Sequence, residues 1–208
     1  MSRSDDLVEH ISSWVGPLSG VFDVGLKGPQ VDILHAAPDD DKPFHVLVSH
    51  GLSDRVQPTP PEADSAHRVE LVMGLDPAWP TTRAGDLTEL WPVKLLASLV
   101  RFALDEPDGW FGHGHTIPNG SPAQPYVEGG PSGVILLPPV AMPPEFERWG
   151  EGEEEVQFLA VVPLYSEELD FKVSRGAMAL MERFDAHGLN EVFHWQRRKV
   201  AGGVFELL

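Results

Sequence analysis

Residues 155–164, EVQFLAVVPL, run almost without a polar interruption. A strand with one wet face alternates polar and apolar side chains at period two, so a run of this kind belongs to a strand buried on both faces. SGVILLPP (132–139) reads the same way. Earlier in the chain, VFDVGL (21–26), VDILHA (31–36) and FHVLVSH (44–50) are strands divided by Gly-Pro and Pro-Asp-Asp-Asp-Lys turns, a spacing that suits a meander. RVELVMGL (68–75) is a further buried strand bounded by Asp76-Pro77, and VFELL (204–208) reads as an edge strand. Between them, SDRVQPTPPEADSAH (53–67) is polar and rich in proline, the composition of an exposed connection.

Helical spacing is clearest in LWPVKLLASLVRFALDE (90–106), where Leu95, Leu96, Leu99, Val100, Phe102 and Ala103 form one apolar stripe. Pro92 has no N–H to donate and fits only the first turn, which places the helix start at about Trp91. A short N-terminal helix is predicted from Ser4 as N-cap, Asp5 and Asp6 in the first turn, and Leu7, Ile11, Trp14 and Val15 on one face. Ser166 begins another helical region that GAMALMERFDAHG carries to Gly188. Strands come as a run and then mix with helices, without the regular alternation of a doubly wound sheet. The fold class is therefore α+β: a mixed, mostly antiparallel sheet with two principal helices packed on it plus the short N-terminal helix.

A length of 208 residues suits one domain spanning 1–208. The absence of cysteine removes disulfides and thiolate chemistry, so any metal would need His, Asp or Glu ligands. No run of eighteen apolar residues occurs and MSRSDDLVEH lacks the apolar core of a secretory signal, which excludes a membrane role and points to the cytoplasm. With 32 acidic against 15 basic residues the formal charge is −17, which argues against nucleic acid as a ligand and permits a cationic partner. The only basic cluster is Arg197, Arg198 and Lys199.

WFGHGHTIPNG (110–120) holds the pair His113 and His115. Were 111–117 extended, both imidazoles would share a face, and with an acidic residue from elsewhere they could serve a metal-assisted hydrolase. No third ligand stands at motif spacing, and flanking glycines favour an architectural role for the imidazoles. Serine nucleophiles lack a G-x-S-x-G elbow and nucleotide-binding fingerprints are missing, so no catalytic residue and no cofactor is expected. Trp79, Trp91 and Trp110 cluster in the central third, at a core edge or on a recognition surface.

The series VELVMGL, WPVKLLASLVRFAL, DGWFGHGHTIPNG, GVILLPP and EVQFLAVVPLYSEELDFKV resembles the suppressor-of-fused family, in particular its compact bacterial members, over about residues 28–186. The resemblance implies a mixed α/β domain that binds other proteins and has no catalytic centre. Animal relatives sequester transcription factors between two domains, where 208 residues accommodate one. Bacterial relatives resemble immunity proteins that neutralise toxins. The family pattern centres on Gly114, His115, Thr116, Ile117 and Asn119, which implies that His115 orients a loop after the main helix and that this loop borders the partner surface. The expected function is a non-catalytic protein-binding module, an immunity protein that masks a basic, toxin-like partner. Asp108, Glu128, Glu151, Glu153, Glu154 and Glu155, in or beside loops, are the candidate acidic surface.

Overall fold

The computed structural model describes residues 2–25, 30–79 and 91–201. Helix α1 (Arg3–Val15) is capped by Ser2 and not by Ser4. The Ser2 hydroxyl accepts the Asp5 N–H at 3.2 Å while the Asp5 carboxylate accepts the Ser2 N–H at 2.9 Å. This reciprocal box needs a carboxylate three residues after the cap, and three residues after Ser4 stands Leu7. Leu7, Ile11 and Val15 are buried, with Trp14 packed beside them, as the spacing predicts.

Strands β1 (Leu18–Asp23), β2 (Asp32–Ala36), β3 (His45–His50) and β4 (Arg68–Leu75) form the expected antiparallel meander. Leu26 and the VFELL segment lie outside the described residues. Helix α2 (Trp91–Asp105) carries Pro92 in its first turn. After it come β5 (Thr116–Pro118), β6 (Gly133–Leu137), β7 (Arg148–Trp149), β8 (Val156–Leu164) and, near the end, β9 (Val192–Phe193). The sheet runs β1-β2-β3-β4-β8-β6-β5, with β7 on β8 and β9 on β4. Among the described residues only the β4 pairings with β8 and β9 are parallel, so the sheet is mixed and mostly antiparallel.

Alternation along the strands distributes the core. Ile33, Leu47, Leu71, Met73, Leu159 and Val161 pack with α2, whereas Leu34, Val46, Val48, Val72, Phe158 and Ala160 pack with α1. The two helices therefore cover opposite faces. Further along the α1 face, Ile135, Val162 and Leu164 are covered by α3 (Ser166–Arg175) and α4 (Ala177–Ala186). The single helical region expected over 166–188 is thus two helices. It breaks at Gly176, whose φ of +88° is a backbone conformation that glycine adopts without a Cβ penalty. With helices on both sides, every residue of β8 is buried, which is the physical meaning of its unbroken apolar run.

The connection 53–67 differs from its expected exposure. Gln57, Thr59 and Ala66 are buried, and Gln57 and Thr59 both donate to the Ala66 carbonyl. A proline-rich segment makes few backbone bonds of its own, so side-chain amides and hydroxyls bind it to the body.

Glu70, in the middle of β4, is wholly buried. It lies where the β3–β4 ladder stops after Val48 and Val72. There the Ser49 hydroxyl accepts the Leu71 N–H and donates to Glu70, while the N–H groups of Gly51 and Ser53 donate to the other carboxyl oxygen at 3.0 Å. Burial raises the carboxyl pKa to about 7, and the three donors only partly oppose it. The folded-state value lies above the ordinary one, so stability from this group is complete below about pH 4.5 and is lost as pH rises through about 7. Glu70→Gln keeps an acceptor for Gly51 and Ser53 and removes the titration. Urea unfolding at about pH 5 and about pH 8 should show the native protein losing on the order of 2–3 kcal/mol relative to the variant. Parallel profiles for the two proteins would contradict the assignment.

Candidate functional site

Polar side chains build the loop that follows α2. The Arg55 guanidinium donates to the carbonyls of Glu106, Pro107 and Gly109 at 2.9–3.1 Å, satisfying acceptors that the helix end leaves free. One step further, Gln57 mimics a neighbouring strand. Its amide oxygen accepts the Phe111 N–H and its amide nitrogen donates to the Phe111 carbonyl, both at 2.9 Å. Phe111 is buried and stacks on Phe102.

From this fixed point the GHGHT stretch diverges. His113 Nε2 lies 3.1 Å from the Gln157 amide nitrogen and 3.6 Å from Glu147, and burial lowers the imidazole pKa. With Gln157 as the donor, His113 is held in the tautomer protonated at Nδ1. His115 turns the other way. Its Nδ1 lies 3.2 Å from the Trp110 carbonyl, and its ring meets the Trp110 indole edge-on at 4.2 Å. Strand β5 begins only at Thr116, so the extended geometry that would set both imidazoles on one face is not present over 111–115. Among the described residues no three His, Asp or Glu side chains are grouped to hold a metal ion.

The remaining motif residues fasten the loop to β6. Gly114 N–H donates to the Leu136 carbonyl, and Leu136 N–H returns a bond to His115. Thr116 and Ile117 pair with Ile135 and Val134. The Asn119 side chain donates to the Gln124 carbonyl at 2.7 Å, and its backbone N–H to Ser132.

The acidic candidates divide into two sets. Glu154 pairs with Arg3 and Arg68, and Glu155 with Arg148, so these two charges are matched internally. Asp108, Glu128, Glu151 and Glu153 are exposed and have no ion pair among the described residues.

A second concave feature lies beside the C-terminal segment. Asp76, Trp79, Trp91, His194, Trp195 and Arg197 line a mostly apolar cleft of about 850 Å³. Trp79 meets Trp91 and Trp195 edge-on with ring centroids 5.8 Å apart in each pair, and Trp195 remains 42% exposed. At the rim, His194 Nδ1 lies 2.6 Å from Asp76, and this bond, with one from the Ala78 N–H, holds the Asp76 carboxyl below its usual pKa. The Arg197 guanidinium is turned inward to the buried Glu168 carboxylate and to the Pro163 carbonyl. Glu168 also accepts the N–H groups of Tyr165 and Val200. The basic cluster of the sequence is therefore in large part an internal fastening, since Lys199 likewise pairs with Glu167.

The sequence model of the suppressor of fused protein (SUFU) family matches residues 27–198. The chain belongs to the SUFU family. Its fold agrees. A crystal structure described as a SUFU homologue from Neisseria gonorrhoeae superposes with a TM-score of 0.69 at 17% identity, over 97% of this chain and 98% of that one. The Sufu–Fu complex gives 0.61 at 14% identity, over 95% and 91% of the two chains. Drosophila Suppressor of Fused gives 0.58 at 15% identity, over 93% of this chain and 50% of its own. No curated protein sequence matches the chain.

Trp79, Trp91, His113 and His115 stand out in the sequence, whereas the residues that position them do not. Gln57 and Gln157 stand in a polar connection and an apolar run, and neither position signals that its amide will bind a loop tens of residues away. Trp195 lies in FHWQRRK, a stretch without periodicity. The loop that carries Gly114, His115 and Thr116, the GHT loop, is anchored at Phe111 by Gln57. Gln57→Ala would leave the Phe111 N–H buried without its partner and its carbonyl with the Ser65 hydroxyl alone, at a cost of about 1–3 kcal/mol. Thermal unfolding should drop accordingly, and the Phe111 amide should lose hydrogen-exchange protection ahead of the β4 amides. Unchanged protection at Phe111 would show that Gln57 does not hold the loop.

Proposed function

We propose that this chain is a non-catalytic module that captures a basic protein partner, anchoring it at the aromatic cleft and attracting it through its excess negative charge. The observation that carries the reading is the cleft itself. Tryptophan is enriched among residues that dominate protein interfaces, and a large apolar concavity with a few polar groups at its rim is the usual form of a recognition site. Here Trp195 stands 42% exposed over two further indoles, and Asp76 with His194 supplies the polar rim. Membership of the SUFU family and the likeness to a Sufu–Fu complex support a protein as the ligand.

Charge supplies rate more than affinity. A formal charge of −17 steers a cationic molecule toward the surface, and Asp108, Glu128, Glu151 and Glu153 have no internal partner to cancel them among the described residues. Glu128 stands two residues beyond Tyr126, whose ring stacks on Trp91 at the cleft. We further propose the GHT loop, with Gly114, His115, Thr116, Ile117 and Asn119, as a border of the partner surface. The immunity role follows as the finer part of the proposal: the partner is a toxin, and binding masks it in the cytoplasm. The hydrolase alternative has no support from the imidazoles, because His113 and His115 face different partners.

The test uses the full chain immobilised against an extract of its own source, followed by binding measurements with the purified captured protein. A basic protein should be retained at low salt and released at about 0.5 M salt, where the Debye length falls to about 4 Å and attraction beyond contact range is lost. Trp195→Ala should weaken the pair about a hundredfold through faster dissociation, while joint neutralisation of Asp108, Glu128, Glu151 and Glu153 should slow association about tenfold. Rescue of growth on co-expression with that protein would establish the toxin arm. Retention of acidic or neutral proteins without a salt effect, or full affinity in Trp195→Ala, would overturn the reading.

A further inference from the structure

Three neighbouring elements of the meander bring Ser19, His35 and His45 into one line. Ser19 sits at the irregularity of β1 between Leu18 and Gly20, where it can reach inward from the sheet edge. Its hydroxyl lies 2.9 Å from His35 Nδ1, and His35 Nε2 lies 3.0 Å from His45 Nδ1. The Pro77 carbonyl just beyond β4 favours a charged His45, and with Nδ1 taken up by His35 the nitrogen left to face it is Nε2. Both imidazoles are buried, 6% and 5% exposed, so no water can substitute for a lost partner.

These contacts determine where every proton lies. A carbonyl only accepts, so His45 carries its proton on Nε2 and its Nδ1 is bare. That bare nitrogen requires a donor, so His35 is protonated at Nε2 and bare at Nδ1. The Ser19 hydroxyl then donates to His35 Nδ1. The neutral chain runs in one direction from the edge strand to Pro77.

One further proton can be absorbed without breaking a bond. If His45 gains a proton on Nδ1, it donates to His35 Nε2, and the His35 proton moves to Nδ1 and faces Ser19. The Ser19 hydroxyl then turns to the His35 carbonyl, 3.2 Å away. His35 remains neutral and changes tautomer. A second proton has no such place, because it would set two N–H groups against each other across the 3.0 Å gap between the rings.

We propose that Ser19, His35 and His45 form a proton-operated fastener of the edge strand β1, which takes up one proton by reversing its hydrogen bonds and lets β1 go on the second. Among the described residues, the charged group acting on the pair is Asp76, whose carboxylate favours a charged His45 and so directs the first proton there. Burial, and then the neighbouring His45, lower the His35 pKa to about 4. A folded-state value below the ordinary one means that stability from His35 is complete above about pH 6.5 and disappears as pH falls through about 4. Releasing β1 would expose the edge of β2, and Asp76 ties the same chain to the rim of the aromatic cleft through His194.

The experiment is an imidazole ¹H–¹⁵N titration of the full chain from about pH 8 to about pH 3.5, assigned with His35→Gln and His45→Gln, beside hydrogen exchange of the β1 amides. The expected result is that His35, protonated at Nε2 when neutral, switches to the Nδ1 tautomer at the pH where His45 charges. On charging of His35 itself, β1 protection should fall about tenfold or more while β4 protection holds. Ser19→Ala removes the acceptor for His35 Nδ1–H and should abolish the tautomer switch in a protein that still folds. Independent titration of the two rings without a tautomer change, a switch that persists in Ser19→Ala, or β1 protection indifferent to His35 charging would each overturn the proposal.

Discussion

Strand β8 has no solvent-facing side, and the architecture is organised around that condition. Nine consecutive buried residues can be accommodated only if helices lie on both faces and strands lie on both edges. Helix α2 meets one face, and α1 with α3 and α4 the other. Along its edges β8 takes β4 in parallel and β6 and β7 antiparallel. The parallel pairing requires a long excursion between β4 and β8, and that excursion contains α2, the GHT loop and β6. The position of the GHT loop is thus a by-product of how the chain returns to its central strand.

Burying so much backbone creates a demand for hydrogen bonds that regular structure does not meet, and uncharged amides meet much of it. Gln57 pairs with Phe111 as a strand would, and Gln157 reaches Ser65, Ala66 and His113 from inside β8. An amide offers both donor and acceptor without the desolvation cost of a charge. Where a charge is buried it behaves differently in each case. Glu168 has a guanidinium and two N–H groups and forms an ion pair, whereas Glu70 has donors but no cation and tends toward the neutral acid at ordinary pH.

The features legible in the sequence are those whose cause is local. The apolar run of β8, the stripe and Pro92 of α2, and the turns of the meander all report short-range constraints, and the structure follows them closely. Structure departs from local pattern at the helix ends where one local signal competes with another. Ser2 outranked Ser4 as a cap because Asp5 could answer it, and Gly176 divided a region whose periodicity looked continuous. What the sequence did not disclose is long-range: that Gln57 would meet Phe111, that Arg197 would turn inward, or that Trp195 would join Trp79 and Trp91. Such pairings depend on the assembled fold, and nothing in either partner's immediate neighbourhood marks it.

The outer wall of the aromatic cleft belongs to a segment that joins the sheet by the two residues of β9 on β4 and is otherwise held mainly through side chains: His194 on Asp76, Arg197 on Glu168 and Lys199 on Glu167. Its strand pairing is therefore thinner than that of the layers beneath it. A segment held mainly by side-chain contacts would open before the sheet beneath it, as a flap with its own, shallower equilibrium. Recognition at the cleft would then carry an ordering penalty set by those few fastenings, and affinity could be tuned in evolution by altering them while leaving the exposed indole untouched.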